Sequence, residues 1–198
     1  DTQRNRAIPL KIYLPAQNTP APVILFSHGL GGSRDGYTYL GQYWSAHGYV
    51  VVMMQHAGSD ESIWKGKGPL AGLRAMRQAA SGDNLVARVA DVHATIDALT
   101  NMNDDPASPL AGRLDLGHIG MAGHSFGAVT SQAVTGQNYA GGTIQSDPRI
   151  AAALMLSPSP PKAGSAAKAF AHVTRPWLLV TGTKDDAPIG GITAADRR

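Results

Sequence analysis

The 198 residues suit one domain with a full core. The absence of cysteine excludes a disulfide framework, a thiolate nucleophile and a Cys-ligated zinc, and fits an oxidising compartment, secreted or periplasmic, without fixing one. A net charge of +3, with no aromatic platform or nucleic-acid motif beside it and no run of the ~18 apolar residues a membrane span needs, points away from nucleic acid and from a spanning segment.

In chain order, Ala7 to Leu14 alternates as a strand near a sheet edge, where Pro9 is tolerated. Pro15 to Pro22 is a loop. Val23 to Phe26 is wholly apolar, as expected of a parallel strand covered on both faces. Tyr37 to His47 reads as a helix with Tyr37, Leu40, Trp44 and Tyr43 on one face, closed by Gly48. Tyr49 to Met54 is a second buried strand. Glu61 to Ser81 is irregular, with a helix around Leu70 to Ala80. Its Lys65, Lys67, Arg74 and Arg77 form the nearest thing to a basic cluster, either solvated surface or a site for an anionic substrate.

Asp83 or Asn84 caps a helix to Leu99, with Leu85, Val89, Val92, Ile96 and Leu99 at three- and four-residue spacings. Asn101 to Pro109 is a polar loop. His118 to Ala122 is a strand and Ala128 to Val134 a helix. After a loop over Gly136 to Pro148 come a strand at Ile150 to Leu156, a helix within Ala163 to Ala171 and a last strand at Trp177 to Thr181. Strands alternating with helices argue for an α/β fold, a mostly parallel sheet with helices on both faces. Chemistry in such sheets gathers at the carboxyl ends of strands, so the loops after Phe26, Met54, Ala122, Leu156 and Thr181 are the ones to search.

Gly123-His124-Ser125-Phe126-Gly127 reads G-x-S-x-G between a strand and a helix, the setting of a nucleophile elbow. Ser125 would sit at the tip in a strained conformation. A β-carbon at either glycine would collide where the helix doubles back on its strand. A serine hydroxyl needs a base, an acid to orient that base and donors for the oxyanion. In an elbow the first donor is the N–H after the nucleophile, here Phe126. The second comes from the loop after an earlier strand, and the glycine-rich His28-Gly29-Leu30-Gly31-Gly32 offers the N–H of Leu30.

Phe26-Ser27-His28-Gly29-Leu30-Gly31-Gly32, the later Gly123 to Gly127 and Gln55-His56-Ala57-Gly58-Ser59-Asp60 between them resemble the α/β-hydrolase superfamily. Within it the chain resembles predicted hydrolases grouped with dienelactone hydrolases and platelet-activating-factor acetylhydrolases, over about residues 6 to 190. Dienelactone hydrolases carry a cysteine at the elbow, so lactone specificity does not transfer to Ser125. The resemblance implies a serine carboxylic-ester hydrolase acting on a small-molecule ester, without cofactor. It also implies an acid after a late strand, where Asp185 has the family-like spacing and Asp186 is the alternative. The acetylhydrolases place the acid one strand earlier, but Leu156-Ser157-Pro158 offers no carboxylate.

The usual order of Ser, acid, His fails here, because no histidine follows Asp186. The seven histidines are at 28, 47, 56, 93, 118, 124 and 172, and none has an obvious claim to be the base. The expectation is a single domain over 1–198, cut short of its last strand and helix. Its catalytic histidine would lie beyond Arg198, and the 198 residues alone would be nearly inactive. Segment 61–82 is expected as a lid or rim, with Trp64, Leu70 and Leu73 offering apolar contact, or as a surface insertion with its own small core. No metal-ligand spacing is visible: His118 and His124 lack a partner, and Asp104-Asp105 is loop solvation. A peptidase, a polyester hydrolase or an inactive hydrolase-fold binding protein are the rival readings.

Overall fold

The computed structural model describes residues 1–139, 146–161, 164–187 and 189–197. Six strands form one sheet: β1 (Leu10–Tyr13), β2 (Ala21–Ser27), β3 (Val50–Met54), β4 (Leu114–His124), β5 (Ile150–Leu156) and β6 (Trp177–Val180). Their order is β1-β3-β2-β4-β5-β6. β1 runs antiparallel at one edge and every other pair is parallel. The helices are α1 (Thr38–Ala46), α2 (Pro69–Ala79), α3 (Gly82–Asp104), α4 (Phe126–Val134) and α5 (Ala166–Ala169).

The apolar runs form strands covered on both faces, and alternate residues serve different layers. Val23, Leu25, Val50, Val52, Met54 and Met121 face α3 and α4. Phe26, Val51, Met53 and Ala122 face α1, through Tyr37, Leu40 and Trp44. This is an α/β architecture, a mostly parallel sheet with helices on both faces. Tyr43 does not share the packed face of α1: it is exposed and stacks on His47. The residues given for α3 do form its buried stripe, with Val92, Ile96 and Leu99 fully buried. Each such side chain is worth about 1.5–3 kcal/mol.

The α3 boundaries differ from the sequence reading. Ser81 is the cap, its hydroxyl accepting from Asn84 N–H, and the helix runs on to Asp104. Asn101 to Asp104 are polar because the last turn is largely exposed. The late helix shrinks to four residues, and its expected start at Ala163 lies outside the described residues. So do residues 140–145 of the expected loop over 136–148.

One part of the sheet is left open. Beyond α1, a groove of about 860 Å³ runs over Ile24, Gly120, Ala122, Ala152 and Leu154. β6, paired only with β5 among the described residues, exposes Leu178, Leu179 and Val180 by 62%, 52% and 44%.

Candidate functional site

β4 ends at His124, α4 begins at Phe126, and Ser125 alone turns the corner between them. Its φ of 53° and ψ of −113° lie where L-residues are strained. Two glycines make the corner possible. A Cβ on Gly123 would overlap the carbonyl of Gly127, so the helix does press back on its own strand. A Cβ on Gly127 would instead overlap the carbonyl of Ser27 and stand 2.9 Å from that of His28, at the end of β2. Gly127 thus sets how closely two different strand ends approach. In a free helix Gly→Ala gains about 1 kcal/mol. Here Gly127→Ala is expected to lower stability by ~1–3 kcal/mol or more, as overpacking does. A guanidinium unfolding midpoint that rises would show that the approach is not tight.

That approach brings the loop after β2 beside the corner. Among the described residues neither Leu30 N–H nor Phe126 N–H donates to a protein acceptor. Both residues are partly exposed. The neighbouring glycines are tied down: Gly31 N–H donates to Ser59 O at 2.9 Å, and Glu61 N–H to Gly32 O at 2.9 Å. The segment from Gln55 to Glu61 therefore buttresses the glycine loop. Trp64 adds a third tie, donating from Nε1 to Gly31 O at 2.7 Å. Trp64, Leu73 and Met76 line a small hollow there. Leu70 points away and is 85% exposed.

Behind the loop lies a buried polar cluster. Arg88 Nη1 donates to His28 O at 2.7 Å and to Ser27 Oγ at 3.2 Å, and its Nε donates to Ser59 Oγ at 2.8 Å. Ser27 Oγ is 2.9 Å from His56 Nε2, and His56 Nδ1 is 3.0 Å from Asp91 Oδ2. Asp91 also accepts from Arg4 Nη2 at 2.8 Å and Arg6 Nε at 2.7 Å. Ser27-His56-Asp91 has the connectivity of a catalytic triad, but all three are fully buried, so no substrate reaches the hydroxyl. The tautomers are settled by the network. His56 N–H donates to His28 Nε2 at 3.1 Å, so His28 carries its proton on Nδ1 and donates it to Gly29 O at 2.7 Å.

Both histidines are held neutral. Burial, then the Arg88 charge, pushes His56 down to about 4 and His28 to about 3. Asp91 goes the same way for a different reason: burial pushes it up, but hydrogen bonds from His56, Arg6 and Arg4 outweigh that and hold it at about 2. Unfolded histidine titrates near 6.5, so between pH 6.5 and 4 the unfolded chain binds more protons than the folded one. Each histidine then removes about 1.4 kcal/mol per pH unit as the pH falls. Asp91, whose folded value is depressed, adds to the loss only below about pH 4. Stability should therefore be level between about pH 7 and 8 and fall steeply from 6.5 downward, as read by guanidinium midpoints. A level profile from pH 7 to 4.5 would mean that these rings are not buried neutral.

Asp185 lies at the carboxyl end of β6. Its Oδ2 accepts from Thr181 Oγ1 at 2.9 Å and is 3.7 Å from Arg197 Nε. The hydroxyls of Ser157 and Thr181, with the Arg197 charge, hold its carboxyl below the usual range. The strand ends step across from Ser125 to this carboxylate. Ser125 N–H donates to Leu156 O at 2.9 Å, and Ser157 N–H to Val180 O at 2.8 Å. Asp186 faces elsewhere, accepting from Ala194 N–H at 2.8 Å. Arg197, which the sequence gave no reason to notice, donates to the carbonyls of Asp185 and Ser157 at 2.8 and 2.6 Å and pins the turn.

The remaining histidines are engaged elsewhere. His124, beside Ser125 in the chain, has Nδ1 2.8 Å from Tyr37 OH. His118 pairs with Asp115 at 2.7 Å, seven residues and about 20 Å of strand from Ser125. His47 donates to Tyr43 O at 2.7 Å on α1, and His93 on α3 is 4.0 Å from Asp147. The carbonyl of His172 sits near Gly136, past the far end of α4. Among the described residues no group of His, Asp and Glu side chains is placed to hold a metal ion, and no helix is long and apolar enough to cross a membrane.

Residues 9–65 match the family model described as "Platelet-activating factor acetylhydrolase, isoform II". The chain is also similar to a Schizosaccharomyces pombe protein named "Putative phospholipase A2", 26% identical over 68% of this chain and 40% of that protein. The chain thus spans less than half the length of that relative. The family match over residues 9–65 and the similarity to that protein both bear out the resemblance to hydrolases of the acetylhydrolase kind.

Proposed function

We propose that this chain carries the nucleophile, oxyanion site and acid of a serine hydrolase cleaving carboxylic esters. Ser125 at its strained corner, with the N–H groups of Phe126 next in the chain and of Leu30 in the loop after β2 both without acceptors among the described residues, is the observation that supports the reading most. In this reading Ser125 Oγ attacks the ester carbonyl carbon. The N–H groups of Leu30 and Phe126 receive the oxyanion. Collapse of the tetrahedral species expels the alcohol and leaves an acyl-serine, and water then releases the acid.

A base must take the serine proton, and Asp185 orients it. None of the seven histidines is free beside Ser125, since even the adjacent His124 is held by Tyr37. The base is therefore a histidine from elsewhere in the complete polypeptide, and residues 1–198 alone turn over esters only weakly. The acetylhydrolase and phospholipase names borne by the matches make short-chain and phospholipid acyl esters the first substrates to assay. Trp64 and Leu73 would serve as the rim for the acyl or alcohol group. The complete protein is expected to react with a fluorophosphonate probe, with the adduct on the peptide containing Ser125. No adduct, or one on another residue, would overturn the assignment and favour an inactive hydrolase fold.

A further inference from the structure

Arg88 is a fully buried cation, and among the described residues no carboxylate oxygen lies within 4.0 Å of it. Asp91, one turn further along α3, is occupied by Arg4, Arg6 and His56. A buried charge without a direct counter-ion is costly. The side chain makes contacts with two surfaces that matter. It donates to the carbonyl of His28, two residues before Leu30, and to both Ser27 and Ser59. Its guanidinium carbon also lies 4.5 Å from the ring centroid of Phe126. One side chain thus touches both segments whose N–H groups are unpaired.

We infer that Arg88 is the positioning residue of the oxyanion site, clamping the His28–Leu30 loop against Phe126 and setting a positive charge with no carboxylate in direct contact behind the two amides. This rests on the serine-hydrolase reading. An ester in its ground state carries no net charge, whereas the tetrahedral species does. A fixed charge in a low-dielectric interior therefore favours the second over the first. Solvent cannot supply that field, because the guanidinium is sealed under the loop. A merely structural arginine would affect substrate and tetrahedral species alike.

The test uses the complete protein with Arg88→Met, which keeps bulk without charge, and Arg88→Lys, which keeps charge with fewer donors. Folding is checked first by circular dichroism. Arg88→Met is expected to lose about 10²–10³ in kcat on a p-nitrophenyl ester, the loss typical of an oxyanion donor. KM should move less than about threefold. Affinity for a trifluoromethyl ketone, which forms a charged tetrahedral adduct, should fall with kcat, while that for the matching methyl ketone holds. Arg88→Lys should recover at least a tenfold share. A loss confined to KM, or equal loss of both ketones, would overturn the inference and leave Arg88 structural. If Arg88→Met does not fold, the same split is read on Arg88→Lys and on Phe126→Leu, which removes the ring but not the N–H. Absence of turnover or of Ser125 labelling in the unmutated protein is a different failure: it defeats the hydrolase reading itself.

Discussion

Ser125→Ala in the complete protein is expected to abolish fluorophosphonate labelling and to lower ester turnover by about 10⁶-fold, the loss seen when the serine of a comparable triad is removed. The expectation follows from the corner. A residue at φ 53° between β4 and α4 is held away from both elements, so no neighbouring hydroxyl takes its place. Ser131 Oγ, the next serine along α4, donates to Gly127 O at 3.0 Å within the helix. Ser27 and Ser59 are fully buried in the Arg88 cluster. Alanine fits the same backbone no worse than serine does, so the folded structure should survive and the loss would be chemical. Unchanged thermal stability together with undiminished turnover would remove Ser125 from the mechanism.

The next largest effect belongs to Asp185. Asp185→Asn is expected to cost about 10⁴-fold in kcat, the size of loss when a triad acid can no longer hold its histidine in the right tautomer. Asp186→Asn should stay within about threefold. The two carboxylates are adjacent in sequence but differ in surroundings. Asp185 is fixed by Thr181 and Arg197 on the side where β5 and β6 step toward Ser125. Asp186 accepts from Ala194 N–H on an exposed turn, and an asparagine oxygen serves that bond equally well. A full set of pH–rate profiles for both variants checks this. The reverse ranking would transfer the acid to Asp186.

Element order and type were legible because most of the parallel strands contain a short apolar run and α3 carries a recurrent stripe. The corner was legible because sharp backbone turns constrain residue type: Gly123, Ser125 and Gly127 could be placed before any coordinates. What Gly127 avoids was not. Its obstacle is the Ser27 carbonyl on a strand a hundred residues earlier, and only the sheet order brings the two together. Arg88 and Asp91 were missed for a subtler reason. Both fall on the same stripe as Leu85, Val89 and Val92, where three- and four-residue spacing places them inward. A charged side chain ordinarily marks a solvated face, and here the spacing is the better guide. The α3 cap lies two or three residues before the expected Asp83 or Asn84, which are good caps too; it is the Ser81 hydroxyl that accepts from Asn84 N–H. Arg197, beside Asp185, carries no local signal, since its partners are carbonyls about forty and twelve residues away.

The bare margin of β6 has a practical consequence for handling residues 1–198 as an isolated polypeptide. Along Trp177–Val180, a row of peptide groups that pairs with no strand among the described residues lies beside the exposed Leu178, Leu179 and Val180, with no lysine or proline within the strand. Such a row is a template on which another molecule's strand can add. Association should then outpace dilution-independent processes as concentration rises, and a lysine at 178 or 179 would keep preparations dispersed without disturbing the corner at Ser125.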